Sequence, residues 1–206
     1  SGIDLTGLQR DAGPSGMSAA IVDANGDYGA VIVSAANLNI DAHAIDTPAD
    51  ASMIILQNEV PEAVNVALAQ KAKAMGAQVW LNAAPARSLP DGLLDAVDLL
   101  IVNRVEATFY ESLSNSVQVL TTLGAQGVTM DGDSWPAFEV DVISTHGAGD
   151  MFVGALAAEV DAGRTIQEAI PFAQAAAALH VSMQLNERAH LDHAQVAAFL
   201  TAQPSR

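Results

Sequence analysis

The sequence predicts an α/β fold: a three-layer, Rossmann-like parallel sheet with helices on both faces, plus a small β-hairpin ahead of it. Three observations carry that expectation. From Met53 onward, short apolar runs alternate with longer segments of helical period, the pattern of parallel strands joined by right-handed helical crossovers. Before them, the apolar runs Met17–Val22 and Tyr28–Val33 flank Asn25-Gly26, a strong signal for an antiparallel hairpin. Near the far end, Gly147-Ala148-Gly149 joins a short alternating run to a helix on which Phe152, Leu156 and Val160 recur every four residues.

In order along the chain, residues 1–10 are polar and read as the tail of something that began earlier, and Gly13-Pro14-Ser15-Gly16 reads as a turn. After the hairpin, Ala35-Ala36-Asn37 leads into a polar segment that ends near Asp50. Met53–Gln57 is a buried-strand run, and 61–75 a helix with Pro61 at its first position and Gly76 closing it. Gln78–Asn82 is the next strand, 93–97 a short helix, 99–102 a strand and 105–113 a helix. Strands follow at 117–123, 127–130 and 137–142. The helix after the glycine turn, then helices at 165–181 and 192–202, complete the chain. Alanines 175–178 form a small-residue face suited to close packing. In sheets of this kind ligands bind beyond the carboxyl ends of the strands, and each candidate residue below falls at such an end.

Composition narrows the function. Half of the 206 residues are apolar, enough for a well-buried core, and no apolar run approaches the roughly twenty residues of a membrane span. Ser1-Gly2-Ile3-Asp4 does not read as a signal peptide. The absence of cysteine excludes disulfides and fits a cytoplasmic location. A net charge of −16 argues against nucleic acid as a partner, because that needs a basic face; the acidity serves solubility.

The glycine turn carries the chemistry. Two glycines let the backbone bend sharply and approach a ligand with no Cβ in the way. The amides after them open a helix, where free N–H groups and the positive dipole end attract an anion. Asp150 stands in that first turn, placed to take a proton from a hydroxyl attacking a phosphoryl group. An aspartate there is also common as a simple helix cap. The wider stretch STHGAGDMFVGALAA, residues 144–158, closely resembles the C-terminal signature of the ribokinase-like carbohydrate kinases, the phosphofructokinase-B family. The resemblance implies that Asp150 is the catalytic base, next to the substrate hydroxyl, and that the Gly147, Ala148 and Gly149 amides form the anion hole.

Other stretches fit the same family. Asn103-Arg104-Val105-Glu106 has the spacing of a capping box, and also resembles the family's N-x-x-E motif, which organises the Mg²⁺–phosphate end of ATP. The resemblance gives Asn103 and Glu106 to ATP, with Glu106 reaching Mg²⁺ through water; Arg104 stands where members often carry an acid. Thr122-Leu123-Gly124-Ala125-Gln126-Gly127 reads as a turn and resembles the T-L-G-x-x-G loop, implying that Thr122, Gly124 and Gly127 line the nucleotide site. Gln174 falls where the family touches adenine. Glu59 resembles the acid that contacts the sugar, and Asn37, with Ala35 in place of the usual glycine, is read as structural. His190, His193 and His146 lack the set of ligands that zinc requires. The family often binds a monovalent cation beside the active site through an aspartate where this chain has Ser144, so K⁺ activation is not expected.

The resemblance spans nearly the whole chain, read as a single ribokinase-like domain over 1–206, with the lid hairpin at about 15–35 and the nucleotide-binding half at about 99–200. Members are longer: their first strands, a sugar-binding aspartate and a glycine-rich closing segment have no counterpart here, nor has a helix between Glu111 and Val117. The sequence is therefore expected to be part of a longer chain. The implied function is ATP-dependent phosphorylation of a hydroxyl of a sugar or related small polyol. The lid hairpin implies a homodimer. The alternative is a non-catalytic relative that binds nucleotide or sugar and acts through protein contacts; a dinucleotide-dependent oxidoreductase ranks lower, because no G-x-G-x-x-G follows an early strand.

Overall fold

The computed structural model describes residues 3–22, 28–113 and 116–203. Its elements are β1 (Met17–Val22), β2 (Tyr28–Val33), β3 (Met53–Gln57), α1 (Glu62–Ala74), β4 (Gln78–Asn82), α2 (Asp91–Leu94), β5 (Leu99–Asn103), α3 (Arg104–Phe109), β6 (Gln118–Thr122), β7 (Val128–Met130), β8 (Asp133–Trp135), α4 (Ala148–Asp161), α5 (Ile166–Ser182) and α6 (His193–Ala202). β1 and β2 form a two-stranded antiparallel sheet, and β3 to β8 follow one another in a six-stranded mixed sheet. This is the α/β architecture expected, with the small hairpin sheet ahead of it. By its contacts the chain divides into two units, Gly2–Leu100 and Ile101–Arg206, described in turn.

In the Gly2–Leu100 unit, β1 and β2 pair from Met17↔Val33 to Val22↔Tyr28, and the Asn25-Gly26 turn lies outside the described residues. The turn expected at residues 13–16 is instead a bend at Ala12-Gly13, because the Asp11 carboxylate captures the Gly13 amide at 2.6 Å. β3 and β4 pair in parallel register, Met53↔Gln78 to Gln57↔Asn82. Val79, Trp80 and Leu81 of β4 are fully buried, as are Ala69 and Ala72 of α1. Pro61 caps α1 rather than opening it: its ψ of 138° is extended, and its carbonyl accepts from the Val64 amide at 3.0 Å. Gly76, at φ +79°, closes α1 by donating to the Lys73 carbonyl while Ala77 donates to Ala72, a left-handed C-terminal cap. α2 begins two residues before the predicted start at 93, since the Pro90 carbonyl gathers the Leu93 and Leu94 amides.

In the Ile101–Arg206 unit, the helix predicted to reach 113 stops at Phe109. Tyr110 leaves helical geometry at ψ 13°, and the chain tightens into a 3-10 turn, Glu111–Leu113. The strand predicted at 137–142 is also corrected. The ladder strand is β8, which returns antiparallel on β7 (Met130↔Asp133) through Asp131 and Gly132, both with positive φ (+53° and +90°). That is the two-residue hairpin such a pair favours. Residues 137–142 belong to none of the strands, and Phe138 instead enters a core with Phe172, Ala175, Ala176, Ala178 and Val196. The long helices have clear starts and faces. Thr165 and Asp192 cap α5 and α6 with capping boxes, and Phe152 and Leu156 bury one face of α4.

Candidate active site

The site is built in the Ile101–Arg206 unit around the start of α4. Gly147 caps that helix with φ +75° and ψ 7°, and a Cβ there would lie 3.0 Å from His180 Nε2. Backbone conformation and the close approach both call for glycine. The Ala148 amide donates to the Thr145 carbonyl at 3.2 Å, so one of the three expected anion-hole amides is already engaged. No hydrogen bond among the described residues engages the amides of Gly147 or Gly149. Asp150 is exposed in the first turn.

Behind the turn, the end of α5 and the 3-10 turn Arg188–His190 hold the loop. Ile143 and Ser144 amides donate to the Val181 carbonyl at 2.8 and 3.2 Å. The buried Arg188 donates from Nη2 to the Ser144 carbonyl at 2.9 Å and from Nη1 to the His146 carbonyl at 2.8 Å. Sequence reading passed over Arg188; nothing in its local pattern set it apart.

Asn103 and Glu106 form a complete capping box on α3. Asn103 Oδ1 accepts from the Val105 and Glu106 amides at 2.8 and 2.9 Å, and Glu106 Oε2 accepts from the Asn103 amide at 2.8 Å. Burial pushes the Glu106 carboxyl above the usual glutamate range, against the lowering pull of its bonds to Asn103. Arg104 reaches the opposite way. It donates to the Leu123 carbonyl and to the Gln126 side chain, so it pins the 122–127 loop.

Within that loop, the Thr122 hydroxyl donates to the Val102 carbonyl at 3.3 Å, and the Leu123 amide donates to the Gly127 carbonyl at 2.7 Å. Gly124 and Gly127 have φ of +59° and +101°. A Cβ on Gly127 would fall 1.9 Å from the Trp135 carbonyl oxygen, so that position admits no other residue without moving β8. The same carbonyl accepts from Gln174 Nε2 at 2.8 Å. The Gln174 amide nitrogen is thus occupied by the fold, while its residue still borders the cavity beside it.

That cavity, of about 500 Å³, is walled by Thr122, Gly124, Gly127, Gln174, Ala148 and Gly149. It lies within the ~300–1,000 Å³ of ordinary small-molecule sites. Asn103, Glu106, Gly147 and Asp150 are outside its lining, and Glu59 stands in an exposed turn after β3 of the other unit. Much of the remaining wall is apolar: Phe138, Val140, Val142, Phe152, Ala177 and Val181. Sequence reading took these for strand and packing positions. The signal that would have found them is an apolar run that follows the Asp131-Gly132 hairpin, together with a face of small alanines. Among the described residues no group of three or more His, Asp or Glu side chains is placed to hold a metal ion. His193 instead bonds Glu159 at 2.8 Å and stacks on Phe172. No described helix is long and apolar enough to cross a membrane.

An apolar cavity bordered by a helix N-terminus with unengaged amides can hold a flat, apolar ring and an anionic tail. The carboxylate of Asp150 in the same helical turn adds a base. Comparison with known proteins gives the family. The family of pfkB carbohydrate kinases matches residues 1–186. Ribokinase from Bacillus subtilis strain 168 is 32% identical over 180 residues, covering 80% of this chain and 61% of that protein. The crystal structure of ribokinase from Thermotoga maritima superposes with a TM-score of 0.78 at 28% identity, over 94% of this chain and 72% of that one. The structure of Arabidopsis thaliana ribokinase complexed with ribose and ATP gives a TM-score of 0.78 at 26% identity, over 94% and 71%. The chain spans 53% and 48% of the length of the ribokinases it matches from Arabidopsis thaliana and Lactococcus lactis.

Proposed function

The chain belongs to the pfkB family of carbohydrate kinases, and from that membership we propose that it acts in the ATP-dependent phosphorylation of a sugar or related small polyol, with ribose the first candidate. The observation that carries the reading is the conjunction at α4: the Gly147 turn, an exposed Asp150 one turn in, and the cavity beside them. ATP suits that cavity in kind, its base against the apolar wall near Gln174 and the Thr122–Gly127 loop, its phosphates toward the helix N-terminus.

In this reading the substrate hydroxyl gives its proton to the Asp150 carboxylate as its oxygen bonds to the γ-phosphorus, and the bond to the β-phosphate oxygen breaks with its electrons leaving on ADP. The Gly147 and Gly149 amides donate to the oxygens of the transferred group, and the dipole of α4 adds to them. Asn103 and Glu106 would hold Mg²⁺ through water. Glu106 fits that part, since its buried carboxylate is pushed toward neutrality and a nearby cation would favour its charged form. Bound with ATP, the ion neutralises phosphate charge. Glu59, in the Gly2–Leu100 unit, is assigned to a sugar hydroxyl, and the β1–β2 hairpin to a homodimer contact.

The test is sugar-dependent ADP release by the intact protein over a panel of pentoses, hexoses and polyols with MgATP. Turnover with one class of sugar, well above the ATPase background, bears the reading out. ATP binding with no turnover on any member would turn it into a nucleotide-binding protein without kinase activity.

A further inference from the structure

We propose that Arg188 is a built-in cation for the anion turn: its guanidinium occupies the backbone carbonyls where a monovalent metal ion would sit, and so holds residues 144–147 ready for a phosphoryl group without K⁺. The inference rests on the kinase reading for its purpose, though not for its geometry.

Arg188 is 9% exposed. A charge that deep is costly unless it is fully satisfied, and most such arginines face a carboxylate. The ion pairs among the described residues join Lys73 to Asp98, and Arg164 and His193 to Glu159; none involves Arg188. Its partners are three carbonyl oxygens, Ser144 at 2.9 Å, His146 at 2.8 Å and, from Nε, Met183 at 3.3 Å, together with the His180 ring, whose Nε2 lies 3.2 Å from Nη1. Carbonyl dipoles converging on one positive charge are what an alkali ion finds in a protein site. Here the charge is covalently attached.

The location gives this arrangement a use. Ser144 and His146 lie one residue to either side of Thr145, and the chain passes directly from His146 into the left-handed Gly147. The planar fork of a guanidinium grips both carbonyls at once and sets their spacing, as a spherical ion on its own does less strictly. His180 Nε2 adds a contact to the His146 carbonyl at 3.0 Å. The turn whose amides are to receive an anion is thus fixed from behind by a side chain.

The charge arithmetic agrees. The family resemblance implies an aspartate beside the metal ion at the position held here by Ser144. With serine at 144 and no ion pair to Arg188 among the described residues, the guanidinium charge behind the turn is met by carbonyl dipoles in a poorly solvated place. A monovalent ion does not fit this site, because the carbonyls it would use already accept from Arg188.

Two measurements on the intact protein test the proposal. The first is thermal unfolding in KCl against choline chloride at equal ionic strength. The wild type is expected to melt at the same temperature in both. A K⁺ site filled at about ten times its dissociation constant would raise Tm by about 3–5 °C in a chain of this size, and such a rise in the wild type would overturn the proposal. The second compares Arg188→Ala and Arg188→Lys in sugar-dependent ADP release. Arg188→Ala is expected to lose turnover about 10–100-fold while KM for the sugar holds. Guanidinium ion or K⁺ should restore part of the loss, and Arg188→Lys should keep most of the activity. Wild-type turnover in Arg188→Ala, or loss that neither ion relieves, would overturn it. If no sugar is phosphorylated by the wild type, the kinase reading fails, and the K⁺ melt still decides the inference. If Arg188→Ala does not fold, the same melt decides it.

Discussion

Asp150 and Ala35 make opposite claims on single residues. Asp150 is exposed in the first turn of α4, beside the Gly147 and Gly149 amides, where a substrate hydroxyl can reach its carboxylate. Asp150→Asn keeps the shape of the side chain and removes the base. Turnover should fall by about 10²–10⁴ with ATP affinity little changed, read by ADP release and by calorimetric titration. Near-normal turnover would defeat the assignment. Ala35 costs the fold instead. It holds φ +43°, a left-handed conformation that charges an L-residue roughly 1–2 kcal/mol and glycine almost nothing. Ala35→Gly should therefore stabilise the protein by about 0.5–1 kcal/mol, after the extra chain entropy of glycine is subtracted. A lower denaturation midpoint in the variant would show that the strain is not there.

The short helix α3 is structure and, in the proposed function, also site. Its capping box is complete, and burial of the Glu106 carboxyl raises its pKa against the lowering pull of the bonds to Asn103. A carboxyl raised in the folded state binds its proton more tightly there than in the unfolded chain. Its contribution to stability is present below about pH 4.5, the unfolded value, and is lost as pH rises through the folded one. Glu106→Gln keeps an acceptor for the Asn103 amide but has no charge to bury. Melting curves should show the variant gaining on the wild type as pH rises from about 4 to 8, while its affinity for MgATP falls. Parallel curves would mean that Glu106 is not held toward neutrality. The same helix explains what could be read from sequence. Strands β3, β4 and β5 stand out as apolar runs, and capping residues mark α3, α5 and α6, because both signals are local. The 137–142 segment was misread for the converse reason. Its apolar residues fit a strand, whereas Asp131-Gly132 ahead of it makes a hairpin that ends the ladder at Trp135 and frees the segment to line a cavity. The site divides in the same way. Gly147, Gly124 and Gly127 were legible because each takes a positive φ, a requirement that acts within a few residues. Arg188 was not, because the two loop carbonyls it grips, of Ser144 and His146, lie more than forty positions away, where no pattern in one sequence reaches.

At the scale of the molecule, the open question is association. Among the described residues β1 and β2 pair with each other and with no other strand, and a two-stranded hairpin is marginal in water without a face to pack on. Met17 and Val33 sit opposite one another at one end of it, exposed at 59% and 46%. Leaving two apolar side chains together in water is unfavourable, and a second copy offers the same pair for a self-complementary contact. The net charge of −16 works against this, because two copies repel over the whole of their surfaces. The two effects respond differently to salt. Screening shortens the repulsion from about 30 Å at 0.01 M to about 8 Å at 0.15 M and leaves apolar contact intact. Sedimentation at micromolar concentration should therefore show a dimer whose share grows with ionic strength. Replacing Met17 by lysine should return it to monomer at every salt while ATP affinity stays as it was. A dimer that weakens with salt, or that survives Met17→Lys unchanged, would mean that charge pairs or another surface hold the copies together and that the hairpin has a different use.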